Sequence, residues 1–164
     1  MLLNNFSNIL SAKLTNGSGT TMGDKLNYIK TTDETIYENS VKTTDVYLYK
    51  VPTSGSTYPE QSGIKLVLAN DENEIDYYDY KIDNIDEQLT EISTTINKSN
   101  NYIISKIVKN NTTNDININT IGVIVHCYIN NYNTFKDILI YKTKLNETII
   151  IEPGETKTFT ITIG

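Results

Sequence analysis

His126 and Cys127 are the one adjacent base and nucleophile in the chain, and neither residue type occurs anywhere else in it. An imidazole can activate a thiol only if the two side chains come within hydrogen-bond reach. Residues 123–129 read as a strand, where neighbouring side chains point to opposite faces. Cys127 then shares a face with Val123, Val125 and Ile129, while His126 lies with Ile124 and Tyr128. The pair reads as a core thiol beside a partly exposed imidazole. One His and one Cys also fall short of the usual zinc ligand sets, and a lone Cys cannot form an intramolecular disulfide.

The other chemistry-bearing stretch is acidic. Between Asp71 and Glu91 it carries Asp76, Asp79, Asp83, Asp86 and Glu87. Carboxylates bind Ca²⁺, but an EF-hand loop needs fixed alternation, a central Gly and a closing Glu, and this run has none of that order. A glycosidase needs two carboxylates at a set separation, and no spacing here selects a pair. The run therefore reads as a solvated face. Gly17-Ser18-Gly19 is too short to cradle a phosphate, and no Lys-Ser or Lys-Thr follows at P-loop spacing. Sequons at Asn111-Thr112-Thr113 and Asn146-Glu147-Thr148 are what chance gives in a chain so rich in Asn and Thr. No enzymatic activity, cofactor or metal is expected.

Composition narrows the classes further. The chain has 164 residues, a net charge of −6 and fourteen basic residues, all of them Lys. Nucleic-acid binding rests on basic patches that neutralise phosphate and on Arg for bidentate contacts, so nucleic acid is an unfavoured partner. No apolar run approaches the roughly 20 residues of a membrane span. The first residues lack the basic n-region and apolar stretch of a signal peptide, so folding in a cytoplasm is expected. Twelve Tyr, with many Ile and Thr, suit pleated, half-buried surfaces.

The elements follow from periodicity. Leu2, Leu3, Phe6, Ile9, Leu10 and Leu14 stand near helical spacing, predicting a short helix or ordered arm. Residues 16–21 are a Gly/Ser/Thr loop. Residues 1–20 are thus read as arm and linker, and 21–164 as a single β domain. Strands are predicted at residues 46–51, at 64–68 and at 77–82, the last with Tyr78, Tyr80 and Ile82 on one face. Residues 85–97 carry both a helical spacing (Ile85, Leu89, Ile92, Ile96) and a β-favouring Ser93-Thr94-Thr95, and are read as one arm of a hairpin with 102–109. Further strands are predicted at 116–121, 123–129, 137–142, 148–151 and 157–163. In the last, Phe159, Ile161 and Ile163 alternate with Thr158, Thr160 and Thr162, and Pro153-Gly154 before it suits a type II turn. Many short strands at close spacing predict a mainly β protein, a β-sandwich of Ig-like or jelly-roll-like form.

Two segments carry a resemblance. They are Asn110-Asn111-Thr112-Thr113 running on to Ile116-Asn117-Ile118-Asn119-Thr120-Ile121-Gly122-Val123, and Ile149-Ile150-Ile151-Glu152-Pro153-Gly154-Glu155-Thr156-Lys157-Thr158-Phe159-Thr160-Ile161-Thr162-Ile163. Together they resemble the C-terminal β module of small structural proteins of tailed bacteriophages. Those carry an Asn-Thr turn, an Ile-x-Ile-x-Glu-Ile-Gly-Leu strand pair and a closing Pro-Gly-Glu-Thr strand. Asn4-Asn5-Phe6 and Gly17-Ser18-Gly19-Thr20-Thr21 are similar to the openings of such proteins. Thr120 replaces the family's acidic residue and Val123 its Leu, at positions that form the fold. The resemblance implies a virion component made in the host cytoplasm. Its leading form is a decoration protein on the outer capsid surface, with the major capsid protein or other virion proteins as partners and a homo-oligomer as a further form. A tail, collar or baseplate component is the second form, and an Ig-like carbohydrate-binding or adhesion module is a third reading. Leu2, Leu3, Phe6, Ile9 and Leu10 are the expected partner-contact residues, with burial over the end of the β core as the competing role.

Overall fold

A computed structural model of the protein describes residues 1–3, 5, 29–37, 46–47, 63–98, 102–129 and 134–163. They form nine strands: β1 (Ile29–Lys30), β2 (Ile36–Tyr37), β3 (Val46–Tyr47), β4 (Gly63–Ala69), β5 (Leu89–Lys98), β6 (Tyr102–Asn110), β7 (Ile116–Ile129), β8 (Thr134–Ile151) and β9 (Thr156–Ile163). The protein is mainly β. Among the described residues only Asn5 is helical, so the expected N-terminal helix lies almost wholly outside them. The sheets are a β1–β2 ribbon, a four-stranded sheet ordered β3-β7-β4 with β8 also paired to β7, and a three-stranded sheet ordered β5-β6-β9.

The described chain divides into two compact units. The first comprises Met1–Lys65, Glu74–Ile82 and Gly122–Lys142. Its buried residues include Leu3, Ile82, Val123, Ile124, Val125, Ile138, Leu139 and Ile140. The β1–β2 ribbon pairs Ile29 with Tyr37 and Lys30 with Ile36. Its turn is closed by the buried Thr31, whose hydroxyl donates to the Thr35 carbonyl at 3.0 Å. Glu34 accepts a φ of 67° there. The second unit comprises Leu66–Asn73, Asp83–Ile121 and Thr143–Gly164. Leu66, Leu68, Ile104, Val108, Ile118, Ile151, Phe159 and Ile161 are among its buried side chains.

Several predicted strands appear as read. β4 buries Leu66 and Leu68 and exposes Lys65. β5 and β6 pair antiparallel from Leu89↔Asn110 to Lys98↔Tyr102, as the hairpin reading requires, with a bulge at Ile92. The helical spacing through Ile92 and Ile96 has no core to serve, since both are exposed. β9 buries Phe159 and Ile161 and exposes Thr158, Thr160 and Thr162. Gly154 has φ 79°, and the Glu155 amide closes the turn on the Glu152 carbonyl at 3.0 Å, the geometry for which Gly at the third position is needed.

Other predictions are corrected. Residues 77–82 form no strand. Asp76 accepts the Tyr78 amide at 2.8 Å, Asp79 accepts the Asp76 amide at 3.2 Å, and the Asp79 amide returns to the Asp76 carbonyl at 3.0 Å. Short acidic side chains that capture nearby amides compete directly with a ladder. Tyr78 is accordingly exposed while Ile82 is buried, so the two share no face. The predicted break at Gly122 is absent, and residues 116–129 are one strand. All of residues 120–125 are buried, the pattern of a strand covered on both faces. The strands predicted at 137–142 and 148–151 are likewise parts of one long β8.

Candidate functional site

The N-terminal residues were expected to offer a contact surface. Leu2 bridges Tyr141 antiparallel, the Leu3 amide donates to the Ile140 carbonyl at 3.0 Å, and the Lys142 amide donates to the Met1 carbonyl at 3.1 Å. Residues 1–3 thus add a short rung to β8. Leu3 is 0% exposed and is a core residue of its unit, while Leu2 remains at the surface. Asn5, also buried, donates to the carbonyls of Lys30 (2.8 Å) and Leu139 (3.3 Å) and accepts the Lys30 amide. It ties this segment to β1 and β8. Phe6, Ile9 and Leu10 lie outside the described residues. Leu3→Ala is expected to cost about 3 kcal/mol of stability, as for other buried leucines that leave a cavity. Urea unfolding checks it, and a loss under about 0.5 kcal/mol would return Leu3 to the surface.

His126 on β7 faces Asp137 on β8, with Nδ1 2.5 Å from Oδ1. Phe135 stacks on the imidazole at 5.2 Å and 5°, and Lys65 lies 3.9 Å from the other Asp137 oxygen. The carboxylate fixes the ring's orientation, as in a catalytic dyad. Here the ring spans two paired strands and lies flat on an aromatic side chain, an arrangement that braces the sheet. Cys127 lies in β7, its side chain outside the description. Among the described residues no group of three His, Cys, Asp or Glu is placed to hold a metal.

The acidic stretch is occupied with closing turns. In the second unit, buried Asp71 accepts the amides of Asn73 (2.9 Å) and Asp83 (3.3 Å), and Asp83 accepts from the Asn73 side chain at 2.8 Å. Asp86 accepts the amides of Gln88 and Leu89, both at 2.9 Å, at the entrance to β5. On β5, the Thr94 hydroxyl and then the Lys106 ammonium hold the Glu91 carboxyl below its usual range. In the first unit, Asp79 pairs at 3.0 Å with Lys142, an ammonium whose side chain is only 2% exposed.

Asp33, among the described residues, has a strongly shifted carboxyl. Its carboxylate pairs with Lys136 and accepts from Thr31, in that order of importance, and these hold its pKa far below the ordinary aspartate value. A carboxyl depressed in the folded state stabilises the fold above its unfolded pKa, and that contribution disappears as pH falls through the folded one. Asp33→Asn should therefore lose stability near neutrality and show a shallower decline below about pH 4. The pair is half exposed, so added salt should shrink the difference. Melting temperature against pH at two salt concentrations measures it.

One heavily hydrogen-bonded side chain among the described residues entered the sequence reading only as part of a resemblance. Asn110, fully buried at the end of β6, donates to the carbonyls of Ile151 and Asn114, both at 2.8 Å, and accepts the Thr112 amide (2.9 Å) and hydroxyl (2.7 Å). Its own amide donates to the Glu155 carbonyl at 3.0 Å, and its carbonyl accepts the Gly154 amide at 2.7 Å. The Asn-x-Thr spacing signals such a turn, but only its long-range partners reveal the weight it carries. One asparagine thus joins the Asn-Thr turn to the Pro-Gly-Glu turn. Against this geometry, family models, curated proteins and solved structures return no match to the chain.

Proposed function

We propose that the chain is a virion structural protein of a tailed bacteriophage, folded as a β-sandwich and serving as a decoration protein on the outer face of the capsid. The supporting observation is the Asn110 corner. The two segments that resemble phage β modules are distant in sequence, yet they meet there in one hydrogen-bonded unit. That gives the paired motif a physical reason to exist as a pair. The net charge of −6 and the absence of Arg suit a surface turned away from packaged DNA. Binding to the major capsid protein would use apolar and main-chain contacts, and no chemistry is assigned to the protein.

Fractionation of purified virions, followed by mass spectrometry of each fraction, tests the reading. The protein should accompany DNA-filled heads that lack tails. Recovery with purified tails would assign it to tail, collar or baseplate, and glycan binding by a protein absent from particles would make it an adhesion module.

A further inference from the structure

The turn at residues 76–79 is built to present two aromatic rings. Tyr77 and Tyr78 occupy its middle positions, 39% and 71% exposed, with their rings edge to face at 5.2 Å. The turn is held by the side-chain and backbone hydrogen bonds of Asp76 and Asp79. Beneath it, Asp79 is pinned to β8 through buried Lys142 at 3.0 Å. An exposed tyrosine on a preorganised turn loses little entropy on contact, which is why such residues dominate binding surfaces.

The same segment shows which chemistry its tyrosines accept. Lys30 places its ammonium 3.5 Å from the centroid of the Tyr80 ring, and the Tyr80 hydroxyl donates to Glu34 at 3.1 Å. One cation is therefore already seated on an aromatic face whose hydroxyl donates to a carboxylate. Tyr78 offers a ring of the same kind, on a turn whose exposed Asp76 carboxylate accepts the Tyr78 amide and which exposed Glu74 precedes in sequence, on a protein of net charge −6. An aromatic face beside acidic groups attracts ammonium and guanidinium groups through the ring quadrupole and through simple charge.

We infer that the Tyr77-Tyr78 turn is a docking element for a basic protein surface, taking a Lys or Arg side chain on the Tyr78 ring. It goes beyond the virion reading and does not depend on it.

The test uses the full chain and a fluorescein-labelled hexa-arginine peptide at low salt, read by anisotropy and by NMR of the tyrosine rings. The Tyr78 ring signals should move on titration, and binding should weaken as salt rises. Tyr78→Leu should weaken binding roughly fivefold, the size of an exposed cation–π contact. Tyr78→Phe, which keeps the ring, should restore it. Tyr78 is exposed, so neither change should alter the melting temperature. Equal affinity for the Leu variant and the native chain overturns the inference, because attraction by charge alone needs no ring. Failure of the peptide to bind also overturns it, as does movement of the Tyr78 signals by a neutral oligosaccharide and not by the peptide.

Discussion

Ile161→Asp is expected to remove about 4 kcal/mol of stability, enough to unfold much of the second unit at ordinary temperature. Ile161 is 7% exposed and faces Ile104, itself buried, across the β6–β9 ladder. A carboxylate there loses its hydration without gaining a partner. Thr160→Asp, one residue away, should cost no more than about 1 kcal/mol. Thr160 is exposed, and its change removes one hydroxyl contact, 2.9 Å from Ser105. Urea unfolding of the two variants gives the difference directly. Similar losses in both would mean that the β9 register is shifted by one residue, since such a slip exchanges the two faces.

Asn110→Ala comes next, at about 3–4 kcal/mol. Alanine leaves the Ile151 carbonyl and the Thr112 amide without the partners that the asparagine supplies. Each buried polar group so orphaned costs about 1–3 kcal/mol. Asn110→Asp should be worse than alanine near neutral pH, because it turns two donated hydrogen bonds into a carboxylate facing the Ile151 and Asn114 carbonyl oxygens. Asn114→Ala keeps the carbonyl that Asn110 uses, and should cost little. If Asn110→Ala melts within a degree or two of the native chain, the corner does not hold the two turns together.

What was legible in the sequence is what is local. The alternation in β9, the break before it at Pro153-Gly154 and the β4 pattern depend on a period of two and on residue-specific φ, both of which a short window contains. Residues 77–82 misled because tyrosines at alternate positions favour a strand, whereas the outcome rests on Asp76 and Asp79 capturing amides. Leu3 and Leu2 look alike in sequence. Only the pairing with Ile140 and Tyr141, far along the chain, separates core from surface. Lys142 was equally opaque, because a lysine reads as solvent-facing until Asp79 is found beside it.

The order β5-β6-β9 also sets a timetable for the growing chain. β5 and β6 are neighbours and can zip as soon as both have left the ribosome, but the other side of β6 must wait for β9, with β7 and β8 made in between. At about 5–20 residues per second of synthesis that interval lasts roughly 2–10 seconds. Through it, β6 shows an open edge bearing Ile103, Ile104, Ile107 and Val108, the kind of segment that recruits other nascent strands. Lys106 interrupts that run and Lys109 closes it, the placement expected of charged gatekeepers. Replacing Lys109 with threonine would thus show first as lost soluble yield during expression, whereas Lys106→Thr would also remove the ion pair with Glu91 from the finished protein.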